Sequence, residues 1–474
     1  MRLTVIGHAA LYVETDGPSI LVDPWLFGSV YWRSWWHYPP SPEPRREWLA
    51  PDYVHLTHHH FDHFHYPSMR RIDRRAKVLI PRFGVDVMAA ELRALGFRDV
   101  QELRHGEALE IATDVEVTSF QYGADDTTFA IRAGMHSVVD VNDCKIRGRS
   151  LSALARELQQ PTFMLKSHSW AQAYPWSYEA DDPAELRKLS RQGYIDDFLD
   201  VARELQPRFA VPFGSMVAFL HPESRHLNEH LITPHEVERA SANAPGLERT
   251  AIVTMSPGDR WSSDEGFERS DVDWYTDRPA RLTELADAVA PTLTAEAADE
   301  AARPMRFDDF GRYFTAFARA VPRAIAHAAL PRPVVFEVST DPEPYWVVDI
   351  QHRRVWRSVA LPEGHASVIT IAPGVLADAI EKRIVQLVHG GVRVRVSLRR
   401  GAFREDLAFW ALLTAWELGY LPMRNVANAR FLDTIWRRRV EMVDDIRALL
   451  ARGPATDRIL RRFATTETTG QPPA

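Results

Sequence analysis

The segment Thr57-His58-His59-His60-Phe61-Asp62-His63 decides the reading of this chain, because it stands directly behind a short apolar run at residues 53–57. Neutral imidazoles two residues apart, then a carboxylate and another imidazole, are the donors that close two adjacent metal positions. His58 and His60 serve one position, and Asp62 and His63 the other. A strand end lends such a cluster rigidity, and a turn behind it gathers the donors at one rim. The bland alternative is a histidine-rich surface loop, and the hydrophobic run in front argues against it.

Working outward, strand-like runs lie at residues 2–6, 10–14 and 19–22, broken by Gly7, Gly17 and the pair Asp23-Pro24. Further strands are expected at 78–80, 116–120, 128–132, 137–141, 162–165 and 209–212, with helical patterns at 85–95, 151–158 and 195–205. Hairpins followed by β–α units imply a layered α/β domain over residues 1–260. Residues 261–304, rich in Asp, Glu and Ala, read as a helical or partly flexible connector. From 305 to 474 a second α/β unit is expected, with strands at 331–339, 345–350, 366–371 and 392–398, a helix at 375–387 and a helical tail over 405–463. Trp410, Trp416, Leu418 and Trp436 are expected to pack that tail onto the body.

Composition bounds the function. With 57 basic and 64 acidic residues among 474, the net charge is −7, and no basic block offers a grip on nucleic acid. A single cysteine, Cys144, excludes an intrachain disulfide, a thiolate zinc cage and a cysteine-ligated iron–sulfur cluster within these residues. The opening MRLTVIGHAALYVET lacks the pattern of a signal peptide, and no apolar run is long enough to span a bilayer. A cytoplasmic protein is the expectation.

The T-H-x-H-x-D-H pattern of Thr57, His58, His60, Asp62 and His63 resembles the signature of the metallo-β-lactamase superfamily, as do Gly7-His8-Ala9 and Ile20-Leu21-Val22-Asp23-Pro24. The resemblance implies an αββα sandwich over roughly the first 260 residues, with Asp23 bracing the metal loop through hydrogen bonds. It also implies a bridging carboxylate, which Asp143 in Val141-Asn142-Asp143-Cys144 fits. Two positions depart from the hydrolase pattern. Where a third histidine is usual, this chain has Gln121, Tyr122 and then Asp125-Asp126, with Asp126 the expected ligand; the final histidine is missing after Ala210-Val211-Pro212, leaving His168 or His221 to supply it, His168 being preferred.

Anionic oxygen in place of imidazole favours iron or manganese over zinc. The stretches DPWLFGSVYWRSWWHYPP (23–40), DDTTFAIRA (125–133) and PFGSMVAFLHPESRHLNE (212–229) resemble the branch containing CMP-N-acetylneuraminate hydroxylase. The chain is also similar to the non-heme diiron monooxygenases of natural-product biosynthesis, notably those acting on diterpenoid precursors. The resemblance implies a hydroxylase with two iron ions, O2 as co-substrate, a bulky apolar substrate such as a terpenoid acid or thioester, and an external reductase or ferredoxin. Under that reading His58, His60, Asp126 and Asp143 hold one iron, and Asp62, His63, Asp143 and His168 the other. A dinuclear zinc hydrolase acting on a phosphodiester, lactone or amide keeps the same first four ligands. A third reading makes the metal structural and the chain a lipid- or terpenoid-binding protein.

Trp25, Trp32 and Trp36 either wall a substrate pocket at the metal rim or pack beneath a long loop. In the second unit the strands, the helix ending before His389-Gly390-Gly391, and Val392–Leu398 resemble a sterol-carrier-like domain, which implies a part in holding an apolar substrate. A filled core that serves only domain contact is the alternative.

Overall fold

Strands Ser19–Val22, Tyr53–His55, Lys77–Pro81 and Val100–Leu103 run parallel, so the loops after Val22 and His55 emerge at one rim. Arg2–Gly7 and Ala10–Glu14 continue this sheet antiparallel, and Arg260–Ser262 and Gly266–Glu268 complete its eight strands. A second sheet of seven strands places Ala251–Ile252, Phe209–Pro212, Phe163–Lys166 and His136–Asn142 parallel to one another, followed by the meander Asp126–Ala133, Val115–Tyr122 and Ala108–Ala112. The computed structural model describes residues 1–452 except 243 and 339–341. Among the described residues no helix is long and apolar enough to cross a membrane.

Alternation along the strands explains how the sheets stack. Leu3, Val5, Leu11, Val13, Ile20 and Val22 from one sheet meet Val117, Phe129, Ile131, Val138, Leu165 and Val211 from the other. The opposite face of the first sheet buries Leu21, Val54, Val78 and Ile80 under the helix Met88–Ala94. The outer face of the second sheet is covered by Gly148–Leu158 and Arg191–Leu205. The latter helix starts four residues before the expected 195, because the Ser190 side chain caps it by accepting from the Gly193 N–H.

Residues 261–304 hold the end of the first sheet and then a 24-residue helix, Arg278–Ala301. Beyond it lies a distinct α/β region. Its six-stranded sheet runs Tyr178–Ala180, Arg395–Leu398, Ser367–Thr370, Val334–Glu337, Tyr345–Asp349, Arg354–Ser358. The edge strand Tyr178–Ala180 comes from the first unit, with Tyr178 opposite Val396. One apolar cluster runs from Val139, Met164 and Phe198 to Phe336, Trp346 and Trp410, so the two units share a core. The helix Phe307–Ala320 supplies Phe310, Phe314 and Phe317 to it. Trp410, Trp416 and Leu418 are buried as expected, whereas Trp436 is 69% exposed because its helix, Ala429–Arg437, lies at the surface. Nothing in this topology establishes a sterol-carrier-like domain, and the expectations for Ser339 and residues 453–463 fall outside the described residues.

Candidate metal centre

The two strands that reach the rim from opposite sheets end in residues with left-handed backbone. Asp23 follows Val22 with φ 42°, and Asn142 closes His136–Asn142 with φ 51°. Asp and Asn tolerate this region better than most residues, and here their side chains join the sheets: Asn142 Nδ2 donates to Asp23 Oδ2 at 2.9 Å. Gly214 sits against this pair with φ +62°, and a Cβ there would lie 2.5 Å from Asn142 Oδ1. Only glycine fits both the conformation and the space.

Asp23 is the hub of the loop Thr57–His63. Its Oδ1 accepts the Thr57 N–H at 2.8 Å, and Oδ2 accepts the Thr57 hydroxyl at 2.6 Å. His63 Nδ1 lies 2.7 Å from the same Oδ2. A carboxylate can only accept, so Nδ1 carries a proton. Burial lowers His63, but Asp62, Asp23 and Asp143 outweigh it and raise the ring well above the usual histidine range, and a metal at Nε2 would displace the second proton they favour there.

Two groups of donors converge there. His58, His60 and Asp143 form one, and His8, Asp62 and His63 the other, with the ligand atoms of each within 4.8 Å of one another. His58 Nε2 faces His60 Nδ1 at 2.8 Å. Asp62 Oδ2 lies 2.9 Å from His8 Nε2 and 3.2 Å from His63 Nε2. Asp143 Oδ2 stands between the groups, 3.7 Å from His58 Nε2 and 4.0 Å from His63 Nε2, the place of a bridge. Tyr31 donates to the other oxygen of Asp62 at 2.5 Å.

These residues fit a metal pair. His63 Nε2 is buried between two carboxylates, Asp62 Oδ2 at 3.2 Å and Asp143 Oδ2 at 4.0 Å, a set of donors that an ion could share. Burial pushes His58 down to about 3, so it is a neutral donor at physiological pH. Burial raises the carboxyl of Asp143, but His58 and His63 outweigh that and hold it below the usual carboxylate range. Asp126 is raised well above that range by burial and by its neighbours Asp143 and Asp125, a repulsion that a cation removes.

Asp126 lines the cavity over these groups together with His60, Asp62 and Asp143. Asp125 is not among the residues lining that cavity; its Oδ2 lies 3.7 Å from His60 Nε2, the ring nitrogen that does not face His58. The structure brings His8, and not His168, to Asp62 and His63. Beyond the strand Phe163–Lys166, Ser167 and Ser169 line the cavity while His168 is buried away from it, with both ring nitrogens unpartnered and burial lowering it to about 4. His221 lies apart from both groups, its Nδ1 accepting the Glu223 N–H. Of the aromatic stretch, Tyr31 and Trp35 line the cavity. The other three tryptophans do not: Trp25 stacks on His37 at 3.8 Å, Trp32 Nε1 donates to Asp378, and Trp36 Nε1 donates to the Arg33 carbonyl.

The cavity measures about 370 Å³. Its floor is the donor set, its walls include Trp35, Trp170 and Tyr194, and its roof is Gln386, Leu387, His389, Gly390, Trp410 and Thr414 of the C-terminal region. Residues missed in the sequence are therefore His8, Tyr31 and this roof. Only His8 carried a local signal, standing directly behind the first strand.

Residues 2–140 match the Beta-lactamase superfamily domain. The fold is metallo-β-lactamase-like. Among curated proteins, the "Putative Rieske 2Fe-2S iron-sulfur protein Rv3818" of Mycobacterium tuberculosis is 28% identical over 333 residues, covering 64% of this chain and 63% of its own length. The cytidine monophosphate-N-acetylneuraminic acid hydroxylase of Mus musculus is 22% identical over 246 residues, 48% of this chain and 41% of that protein. The chain thus spans less than two thirds of these relatives. Among solved structures, CmlA, a diiron beta-hydroxylase from Streptomyces venezuelae, aligns with 57% of this chain and 54% of its own at 21% identity and a TM-score of 0.39. Igni18, a metallo hydrolase from Ignicoccus hospitalis, aligns with 55% of this chain and 96% of its own at 20% identity and a TM-score of 0.38. The metallo-β-lactamase-like domain carries two adjacent His/Asp groups, each of which could hold a metal ion.

Proposed function

We propose that this chain is an O2-dependent diiron monooxygenase that hydroxylates a bulky, largely apolar substrate, a terpenoid acid or its thioester being the model. The observation that carries the reading is the carboxylate content of the site: Asp62 and Asp143 stand in the two donor groups with His8, His58, His60 and His63, and Asp126, outside both groups, lines the same cavity. His58, His60, Asp126 and Asp143 would hold one iron, and His8, Asp62, His63 and Asp143 the other. Two irons with anionic oxygen donors supply the redox change that O2 chemistry needs.

The chain's own residues do the rest. Asp23 fixes the His63 tautomer, and Tyr31 holds the Asp62 carboxylate in one orientation. Trp35, Trp170, Leu387 and Trp410 exclude water from the space above the floor and give an apolar substrate its surface. Electrons would come from a donor outside these 474 residues, a reductase or ferredoxin being the model, since a Rieske cluster needs two cysteines and they contain only Cys144. A hydroxylase among the relatives matched over this domain supports the same direction.

Metal analysis of protein purified without added metal, with an optical spectrum in air, tests the reading. About two irons per chain and ferric absorption are expected. Stoichiometric zinc with a featureless spectrum would transfer the proposal to the second reading, a zinc hydrolase, which the shared donors His58, His60, Asp62 and His63 favour.

A further inference from the structure

Opposite the metal groups, three polar residues from three elements meet at the roof of the cavity. His389 lines it, and its Nε2 lies 2.8 Å from the Tyr178 hydroxyl. Tyr178, on the strand that crosses from the first unit into the six-stranded sheet, lies 3.0 Å from Asp406 Oδ2. Asp406 is fully buried on the helix Phe403–Glu417. The backbone is fastened as well, since the Ala173 N–H donates to the His389 carbonyl at 2.8 Å. An apolar triad of the same volume would hold this junction at lower desolvation cost. A buried carboxylate that orients a tyrosine, which orients an imidazole on a cavity wall, is the arrangement that fixes one ring nitrogen for a ligand.

We propose that His389 is the polar anchor of the substrate, hydrogen-bonding through Nδ1 to a hydroxyl or carbonyl oxygen on an otherwise apolar, ring-containing molecule whose reacting carbon lies over the metal groups. Tyr178 and Asp406 are positioning residues that set the His389 tautomer. The inference rests on the reading above only in taking this cavity as the substrate site.

When Asp406 is ionised it accepts the Tyr178 O–H, the tyrosine oxygen accepts Nε2–H, and Nδ1 offers a lone pair to an alcohol. When Asp406 is protonated the chain reverses, and Nδ1–H donates to a carbonyl. Around this anchor the walls Trp35, Trp170, Tyr194 and Trp410 are aromatic, so the rest of the ligand must be apolar and flat or globular. The volume of about 370 Å³ suits a fused-ring body rather than a polymer or a peptide.

The test uses the metal-loaded full chain and three probes of nearly equal shape: 2-ethylnaphthalene, 2-acetonaphthone and 2-naphthalenemethanol, titrated by quenching of tryptophan fluorescence. One or both oxygenated probes are expected to bind about tenfold more tightly than the hydrocarbon. His389→Leu should reduce that ratio to within about twofold while preserving affinity for 2-ethylnaphthalene, and Tyr178→Phe should leave an intermediate ratio. Equal binding of all three probes to wild type, no binding of any, or an undiminished ratio in both variants overturns the anchor. The titrations are repeated after metal removal. A preference that vanishes with the metal but survives His389→Leu assigns the oxygen to the metal pair, which overturns the anchor and leaves the proposed function standing.

Discussion

Replacing Asp23 by Asn alters one atom, and the geometry makes its consequence specific to metal binding. Oδ2 of Asp23 faces three donors, the Thr57 hydroxyl at 2.6 Å, His63 Nδ1 at 2.7 Å and Asn142 Nδ2 at 2.9 Å, while Oδ1 faces the Thr57 N–H at 2.8 Å. An amide has one oxygen for these two sides. With its NH2 at the Oδ2 position, it confronts the His63 and Asn142 donors, and His63 escapes the clash by moving its proton to Nε2. That proton then stands where the metal would bind. With its NH2 at the Oδ1 position, the buried Thr57 N–H loses its acceptor, at about 1–3 kcal/mol. Either way the fold loses about one hydrogen bond, whereas the metal loses a correctly protonated ligand, worth about 10- to 100-fold in affinity. Chelator competition read by elemental analysis should show that loss in Asp23→Asn, with thermal unfolding of the metal-free protein close to wild type. Asp23→Ala, which strips both oxygens, should also unfold at clearly lower temperature. Asp23→Asn that binds metal within about threefold of wild type would refute the tautomer argument.

Asp126→Asn should lower metal stoichiometry from about two to about one, while Asp125→Asn, outside the cavity lining, should retain both ions, by elemental analysis after dialysis. Burial pushes the Asp406 carboxyl up to about 7 from an ordinary 3.8, so the native state favours its protonated form. Its contribution to stability is therefore full below about pH 4 and lost as pH rises through about 7. Asn mimics the protonated acid, so Asp406→Asn should melt like wild type at or below about pH 4 and above it at pH 8, by about 2–4 kcal/mol in stability; equal melting at pH 8 would refute the shift. The side chain of Arg393 is fully buried between Glu223 and Glu300, at 3.0 and 2.8 Å, and it also donates to the Trp32 carbonyl. Arg393→Met should cost about 3 kcal/mol in chemical denaturation, since it strands buried acceptors.

What was legible depended on whether a signal was contiguous. His58, His60, Asp62 and His63 occupy six residues behind a strand, and Asp23 is marked by its Pro24 after the three apolar residues Ile20, Leu21 and Val22, so local pattern suffices to single them out. Period-2 alternation recovered most strands of the two facing sheets. The helix Phe307–Ala320 carries plain helical spacing, at Phe310, Phe314 and Phe317, but follows directly on an Asp-, Glu- and Ala-rich stretch whose composition masks its start. His168 illustrates the opposite failure: a histidine just beyond a strand has a natural rim position, but alternation sends Ser167 and Ser169 to the cavity and the imidazole away. The roof residues were invisible in principle, because Tyr178 meets His389 across 211 positions of sequence.

Tyr31 shows why the second unit belongs to the metal site. Tyr31, Trp32 and Arg33 adopt consecutive φ values of 53°, 51° and 66°, a left-handed turn that costs about 1–2 kcal/mol per non-glycine residue. Two local hydrogen bonds offset part of that cost, from the Ser34 N–H to the Tyr31 carbonyl at 3.1 Å and from the Trp36 indole to the Arg33 carbonyl at 2.9 Å. Distant partners add to them: the Trp32 indole donates to Asp378, Arg33 pairs with Glu300, and Arg393 holds both Glu300 and the Trp32 carbonyl. All of these lie beyond residue 299, on the connecting helix or the C-terminal region. The same turn delivers the Tyr31 hydroxyl to Asp62. The strained conformation that orients a metal-site carboxylate is thus imposed by the unit that also roofs the cavity. Separation of the two units would open the cavity and release Tyr31 in one step, so metal retention and ligand binding are coupled through the same interface.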